Sequence, residues 1–337
     1  MLAYVMEGPG KGSVTEVPDP EIGDHDALVE MVACGICSST DKMLRLGTFR
    51  GGVGYPSILG HESVGRVVKR GSRVRHIEVG ALVTRASAYP PGRAPVGLQQ
   101  HWGGLAEFGV VTDWQALRAD QPAQPGSPTF SQVFFPPATD PESVALGISF
   151  SETFSVICPV PVLRRKVGVV GTGIAGLSFV AYAKLLGAGP VMIVGRRPER
   201  LELARRLGAD IAVLEADGGP EAVAGDLGGL DVVFEASGAA PMVGRAYRWL
   251  RRGGREVVYS APEDLAALDL MAGPRDATVT VASTDEAAVL PGVVRMVDGG
   301  ILDKDTFLTH RYPLTDITSA FSDIARGDVV KAIVTFS

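Results

Sequence analysis

The sequence predicts an α/β chain in two parts, a β-rich first part followed by a doubly wound parallel sheet. Three observations carry that prediction. The first ~110 residues are short β-prone runs broken by turn residues, the pattern of an all-β or barrel-like domain. From Lys166 onward strand-like and helix-like segments alternate, which is the texture of a parallel sheet wound by right-handed crossovers. The run Gly171-Thr-Gly173-Ile-Ala-Gly176 is a G-x-G-x-x-G placed between the first such strand and the first such helix. A length of 337 residues suits two domains of ~150 residues each.

In chain order, ALVEMVAC, SVGRVVKRG and ALVTRA read as strands, separated by Gly, Pro and Asp clusters. Two stretches rich in Pro, Gly and Gln, Ala88–Gly104 and Ala119–Pro141, read as excursions. LRRK, Leu163–Lys166, is a solvated basic turn ahead of a strand. KVGVVG is then a buried strand, IAGLSFVAYAKLLGA a helix, VMIVG a strand and PERLELARRLGA a helix. DVVFEAS is a strand, PMVGRAYRWLRRGG a helix and REVVYSA a strand. From about Thr284 helical and strand segments mix, and KAIVTFS closes as a strand.

Composition excludes several function classes. With 46% hydrophobic and 21% charged residues the chain can bury a large core and is not disordered. A net charge of −6, from 32 basic and 38 acidic residues, argues against nucleic acid as a partner. No apolar run reaches the ~18 residues a membrane span needs, and MLAYVMEGPG lacks the basic and apolar regions of a signal peptide. Three cysteines, Cys34, Cys37 and Cys158, are too few for a disulfide framework, so a cytoplasmic location is expected.

The glycine fingerprint has a physical reason at each position. Gly171 makes the tight strand-to-helix turn, Gly173 lets a pyrophosphate approach the backbone, and Gly176 lets the helix pack close to the sheet. The helix N-terminus attracts the diphosphate. About 20 residues beyond the fingerprint a carboxylate would bind the ribose hydroxyls of NAD, but that position is Gly195, followed by Arg196 and Arg197. Two guanidiniums suit a 2′-phosphate, so NADP(H) is the expected cofactor. An acidic residue in place of Gly195 is expected to turn the preference toward NAD. With Thr172, Ile174 and, after DVVFEA, Ser237, these residues make up the candidate cofactor-binding set.

Cys34-Gly-Ile-Cys37 is a C-x-x-C with no second pair in the chain, so it is no zinc ribbon. Gly60-His61-Glu62 opens the run SVGRVV, and Ser151-Glu152 lies upstream of the dinucleotide segment. A thiolate, an imidazole and a carboxylate are the donor types of a catalytic zinc site with one position open. Read from the residues alone, a buried Cys37 and a His61 hydrogen-bonded in a loop are the plainer alternative.

CGICSSTDK, LGHESVGRVVKRGSRVRHIEVGALV, WGGLAEF, VGVVGTGIAGL and DVVFEASG together resemble the medium-chain dehydrogenase/reductase family, and most of all its zinc-dependent alcohol and polyol dehydrogenases. The resemblance covers nearly the whole chain in order, with GHE-x-x-G as its most specific motif. It implies a GroES-like β-rich catalytic domain built from 1–149 and 288–337, around an inserted Rossmann domain at 150–287. It implies Cys37 and His61 as zinc ligands and Glu152 as the third, with Glu62 able to alternate between ligand and neighbour. Cys37, Ser39, Thr40, His61 and Glu62 are the implied catalytic residues.

The sequence departs from the family pattern in ways that matter. Cys37-Ser38-Ser39-Thr40-Asp41 has one residue too many, so either Ser39 or Thr40 is the hydroxyl that relays the substrate proton. The four-cysteine lobe of a structural zinc is missing, so one catalytic zinc and no structural zinc are expected. The implied reaction is hydride transfer between NADP(H) and a polar secondary alcohol or ketone, of polyol, sugar or aminocyclitol type. A zinc-free enone or quinone reductase of the same superfamily and a non-catalytic NADP(H)-binding sensor are the alternatives. A homodimer or homotetramer is implied, with VTVAS as the edge strand.

Other residues have plainer expectations. Cys34 reads as a core residue and Cys158 as a helix-packing one. Trp102 borders the substrate or is structural, and Lys331 touches cofactor phosphates or is solvated. Arg45, Arg50 and His101 are consistent with a hydrophilic ligand.

Overall fold

The structure, a computed structural model, describes residues 1–122, 132–216, 219–260 and 268–336. It divides into two compact units, Met1–Ile148 with Leu290–Ser337, and Ser149–Val289.

The first unit is built on two sheets. In the larger, the strands run in the order Leu308–Pro313, Lys331–Thr335, Asp26–Gly35, Glu62–Arg70, Leu82–Thr84 and Phe134–Phe135, with Phe108–Thr112 also pairing Asp26–Gly35. The smaller sheet joins Lys11–Glu16, Leu2–Gly8, Ser57–Ile58 and Gln99–Gln100. Asp26–Gly35 is central because its alternating side chains meet core on both flanks. Val334 pairs with Cys34 and Ser63 with Cys34 across its two edges, which fixes the register around the loop that carries Cys37. Cys34, Ile36, Leu44, Leu59, Leu105, Phe321 and Val334 form one apolar cluster beneath that loop. The excursion Ala88–Gly104 contributes the short strand Gln99–Gln100. Of the excursion Ala119–Pro141, residues 123–131 lie outside the described residues.

The second unit is a six-stranded sheet, every pairing parallel, in the order Ile211–Leu214, Val191–Gly195, Val167–Val170, Leu230–Glu235, Leu250–Val258 and Thr278–Val281. Counted along the chain this is 3-2-1-4-5-6, the dinucleotide-binding order, whose reversal lies between the first and fourth strands. The helix Ile174–Leu185 packs on the sheet through Leu177, Phe179 and Val180. Phe179 stacks on Phe234 at 4.6 Å, an arrangement that adds about 0.5–1.5 kcal/mol beyond the buried area. The strand Thr278–Val281 ends the sheet at the expected edge.

One predicted helix is too long. PMVGRAYRWLRRGG folds as the helix Ala240–Tyr247 and then turns into the strand Leu250–Val258. Leu250 pairs with Leu230 before the register slips, and Gly253 takes φ +69°. The glycines therefore make an irregularity inside a strand rather than a helix stop. Among the described residues no helix is long and apolar enough to cross a membrane.

Candidate functional site

In the first unit, the strand Asp26–Gly35 runs out into the loop bearing Cys37, and the helix Thr40–Leu46 follows. The thiol sulfur of Cys37 accepts the backbone N–H of Thr40 at 3.3 Å, and its own N–H is accepted by Asp41 Oδ2 at 2.9 Å. Gly60, at φ +103°, turns the chain so that His61 and Glu62 enter the neighbouring strand; a Cβ there would lie 2.6 Å from the backbone nitrogen of Leu105. The first letter of the GHE motif thus answers both a left-handed backbone and a close approach.

These turns bring donor atoms of Cys37, His61 and Glu62 within 4.8 Å of one another. His61 and Glu62 are buried and Cys37 is half-buried. Asp41, 1% exposed, stands 3.1 Å from His61 Nδ1 through its Oδ1. Burial disfavours the charged imidazole, but the Asp41 carboxylate and the Cys37 sulfur outweigh it and hold the His61 pKa well above its ordinary value. A buried set of sulfur, nitrogen and oxygen donors gathered this closely is chemically suited to a zinc ion, which takes these same donor types and displaces the proton from the imidazole on binding.

Glu62 has a second partner. Lys331 donates through Nζ to Glu62 Oε2 and to the carbonyl of Ile36, the latter at 3.1 Å. Lys331 is 2% exposed, so the expectation of a solvated lysine is overturned. Its burial disfavours the ammonium, yet Glu62 and Cys37 raise its pKa. The Trp102 ring lies 5.1 Å from the His61 ring, with Phe49 edge-on to it at 6.5 Å. Arg45 lies over the Phe321 ring at 3.8 Å, and burial lowers the pKa of His101. Of the two hydroxyl candidates, Ser39 is exposed and Thr40 half-buried.

Glu152 belongs to the second unit, on the helix Pro141–Ile157, where its Oε2 accepts the Tyr259 hydroxyl at 2.9 Å. Cys34 is buried as expected, whereas Cys158 is exposed and does not pack as a helix residue: it follows the end of that helix, where its side chain meets solvent.

The second unit shapes a dinucleotide cradle. Gly171 has φ +102°, with Ala236 O 2.8 Å from where its Cβ would be. A Cβ on Gly176 would fall 1.9 Å from Gly171 O, so the helix is drawn down onto the turn. Gly173 N-caps the helix with nothing within 4 Å of its Cβ position, which leaves room for a phosphate at the helix N-terminus. Ile174 is the first residue of that helix and Thr172 sits between the two glycines, both half-buried. Gly195 closes the second strand, and Arg196 and Arg197 follow, both exposed. Arg196 Nε lies 3.9 Å from Glu215, a long contact for a side chain 81% exposed. Ser237, exposed at the end of the fourth strand, donates through its N–H to Glu235 at 2.8 Å.

The alcohol dehydrogenase GroES-like domain matches residues 23–121 and the zinc-binding dehydrogenase domain matches 175–288, together more than half of the chain. The chain belongs to the zinc-dependent medium-chain dehydrogenases. It is 29% identical to the L-threonine 3-dehydrogenase of Streptomyces avermitilis, covering 99% of each chain. To the sorbitol dehydrogenase of Mus musculus it is 26% identical, covering 99% of this chain and 95% of the other. Among solved structures, a Sinorhizobium meliloti 1021 protein assigned as a zinc-binding dehydrogenase and bound to NADP is similar, with a TM-score of 0.80 and 28% identity over 99% and 98% of the two chains. An alcohol dehydrogenase from Thermus sp. ATN1 gives a TM-score of 0.78 and 25% identity over 100% of both.

Proposed function

We propose that this oxidoreductase transfers hydride between NADP(H) and a polar secondary alcohol or its ketone, of polyol, sugar or aminocyclitol type, with one zinc ion held at Cys37 and His61. The observation that carries the cofactor choice is Gly195, a strand end with no carboxylate, followed by the exposed pair Arg196 and Arg197. When bound, zinc supplies Lewis-acid polarisation of the alcohol oxygen and the nicotinamide supplies the hydride acceptor. Cys37 provides the negative charge that neutralises the ion, and Asp41 orients the His61 ring by engaging Nδ1, which leaves Nε2 as the ligating nitrogen. The half-buried Thr40 hydroxyl moves the substrate proton outward, a role the exposed Ser39 suits less. Lys331 holds Glu62 in its buried position. Arg196 and Arg197 bind the 2′-phosphate.

The test is metal content together with kcat/KM for NADP+ and NAD+ over a panel of polyols and amino alcohols. Near-stoichiometric zinc with an NADP+ preference supports the proposal. Absence of zinc after metal-replete expression overturns its metal half, and a preference for NAD+ overturns its cofactor half.

A further inference from the structure

We infer that Thr172 is a specificity-determining residue for the cofactor: its side chain fills the space at position 195 and bars the carboxylate that selects the unphosphorylated dinucleotide. The inference rests on the proposed preference for NADP(H) and deepens it. Gly195 is buried at the end of the strand Val191–Gly195, beside the fingerprint turn. A Cβ built on Gly195 would lie 2.3 Å from Thr172 Cγ2, 2.9 Å from Oγ1 and 3.2 Å from Cβ. A rotamer change does not remove the conflict. The threonine Cβ carries two heavy atoms distributed over three staggered positions. The two positions now filled are the two closest to residue 195. Every staggered χ1 therefore leaves at least one of them occupied. Moving the backbone instead would disturb the turn between Gly171, at φ +102°, and Gly173, on which the phosphate cradle depends.

On this inference an acidic residue at 195 alone does not turn the preference toward NAD, contrary to what the sequence leads one to expect. The aspartate has no room while residue 172 is branched at Cβ. The geometry also separates residues of similar size. Serine has one heavy γ atom and can rotate it into the third direction, away from residue 195. Valine keeps two and cannot.

The test is a set of variants of the full-length enzyme, read by thermal melting without cofactor and by equilibrium Kd for NADH and NADPH from fluorescence titration. Gly195→Ala, a bare Cβ, is expected to lower Tm by about 4 °C or more. Thr172→Ala or Thr172→Ser in the same chain should recover most of that loss, and Thr172→Val none of it. Gly195→Asp alone should bind NADH no better than the parent. Thr172→Ser/Gly195→Asp should bind NADH at least ~10-fold more tightly than Gly195→Asp. Gly195→Asp matching that double variant for NADH, or Gly195→Ala melting with the parent, overturns the inference. So does a well-folded double variant with no gain for NADH. A parent that binds NADH as tightly as NADPH overturns the cofactor proposal instead, because the melting cycle between 172 and 195 is read without any cofactor.

Discussion

The Nδ1 nitrogen of His61 stands 3.1 Å from Oδ1 of Asp41. The other oxygen of the same carboxylate accepts the Cys37 N–H at 2.9 Å. One buried side chain therefore sets both the ring of His61 and the backbone of Cys37, the two zinc ligands proposed above. Groups in this position typically govern metal affinity by 10–100-fold. Asp41→Asn keeps an oxygen for the Cys37 N–H and loses the charge facing His61. It is expected to weaken zinc by about 10–100-fold in chelator competition. Unchanged affinity would reduce Asp41 to a turn-former.

Cys37→Ser should abolish zinc binding and turnover, since a neutral hydroxyl replaces the charge-neutralising thiolate. His61→Ala should do the same. Metal analysis of the purified variants decides it; a Cys37→Ser protein with full zinc and full activity contradicts the ligand assignment.

The Lys331–Glu62 pair is buried on both sides, with side chains 2% and 3% exposed. Removing one partner of such a pair typically costs about 3–5 kcal/mol, because the other charge is left stranded. Lys331→Met should therefore melt well below the parent in zinc-stripped protein, and Lys331→Met/Glu62→Gln should melt above Lys331→Met. If the double variant is the less stable of the two, the pair contributes through packing rather than charge.

Glu256 carries a pH dependence. Glu256 pairs with Val233 and Val258 with Glu235, so by the two-residue period of a strand both glutamates face one side of the sheet. Glu235 accepts from Ser237 and Ser260, whereas both Glu256 carboxyl oxygens are buried without a partner among the described residues. Burial, reinforced by the Glu235 charge, raises the Glu256 pKa from 4.5 to about 8. Folding then takes up a proton between those values. Stability is full below the unfolded value, falls by up to about 1.4 kcal/mol per pH unit as pH rises, and levels off near the folded value. Glu256→Gln should flatten that slope, so that its Tm relative to the parent climbs from pH 5 to pH 8. A Tm difference that stays constant with pH would show Glu256 ionised or exposed in solution.

At the cofactor end, Arg196→Ala/Arg197→Ala should raise KM for NADP+ by about 10–100-fold, the worth of one charge-assisted hydrogen bond, and leave NAD+ nearly unchanged. Equal losses for both cofactors would make the arginines structural.

What was legible in the sequence is what depends on neighbours in sequence. The fingerprint glycines could be read because each answers a local backbone demand, and Gly171 and Gly176 meet those demands in the structure. Cys37, His61 and Glu62 could be grouped by donor type, and the fold then brings them together. Asp41 was visible as part of the Cys37 motif, but its engagement of His61 depends on a strand and helix meeting. Neither reading of Lys331, a contact to cofactor phosphates or a solvated side chain, names Glu62, because that partner is 269 residues away. The helix overrun to Gly254 arose because a glycine pair signals a helix stop and a strand irregularity equally well. The conflict between Thr172 and Gly195 is invisible without the crossover that sets one strand end beside the other. Glu152 as a third ligand rests on the resemblance alone.

The separation between Glu62 and Lys331 has a consequence for biosynthesis. A nascent chain displays Cys37, His61 and Glu62 before any of the dinucleotide unit is made, and Lys331 emerges after all of it. The three donors thus exist together, without the ammonium that later binds Glu62, for most of translation. An ion captured during that interval meets a carboxylate not yet engaged by its lysine, while an ion arriving at the finished protein meets one already paired. The position of one strand therefore decides at which stage of chain completion Glu62 meets its lysine.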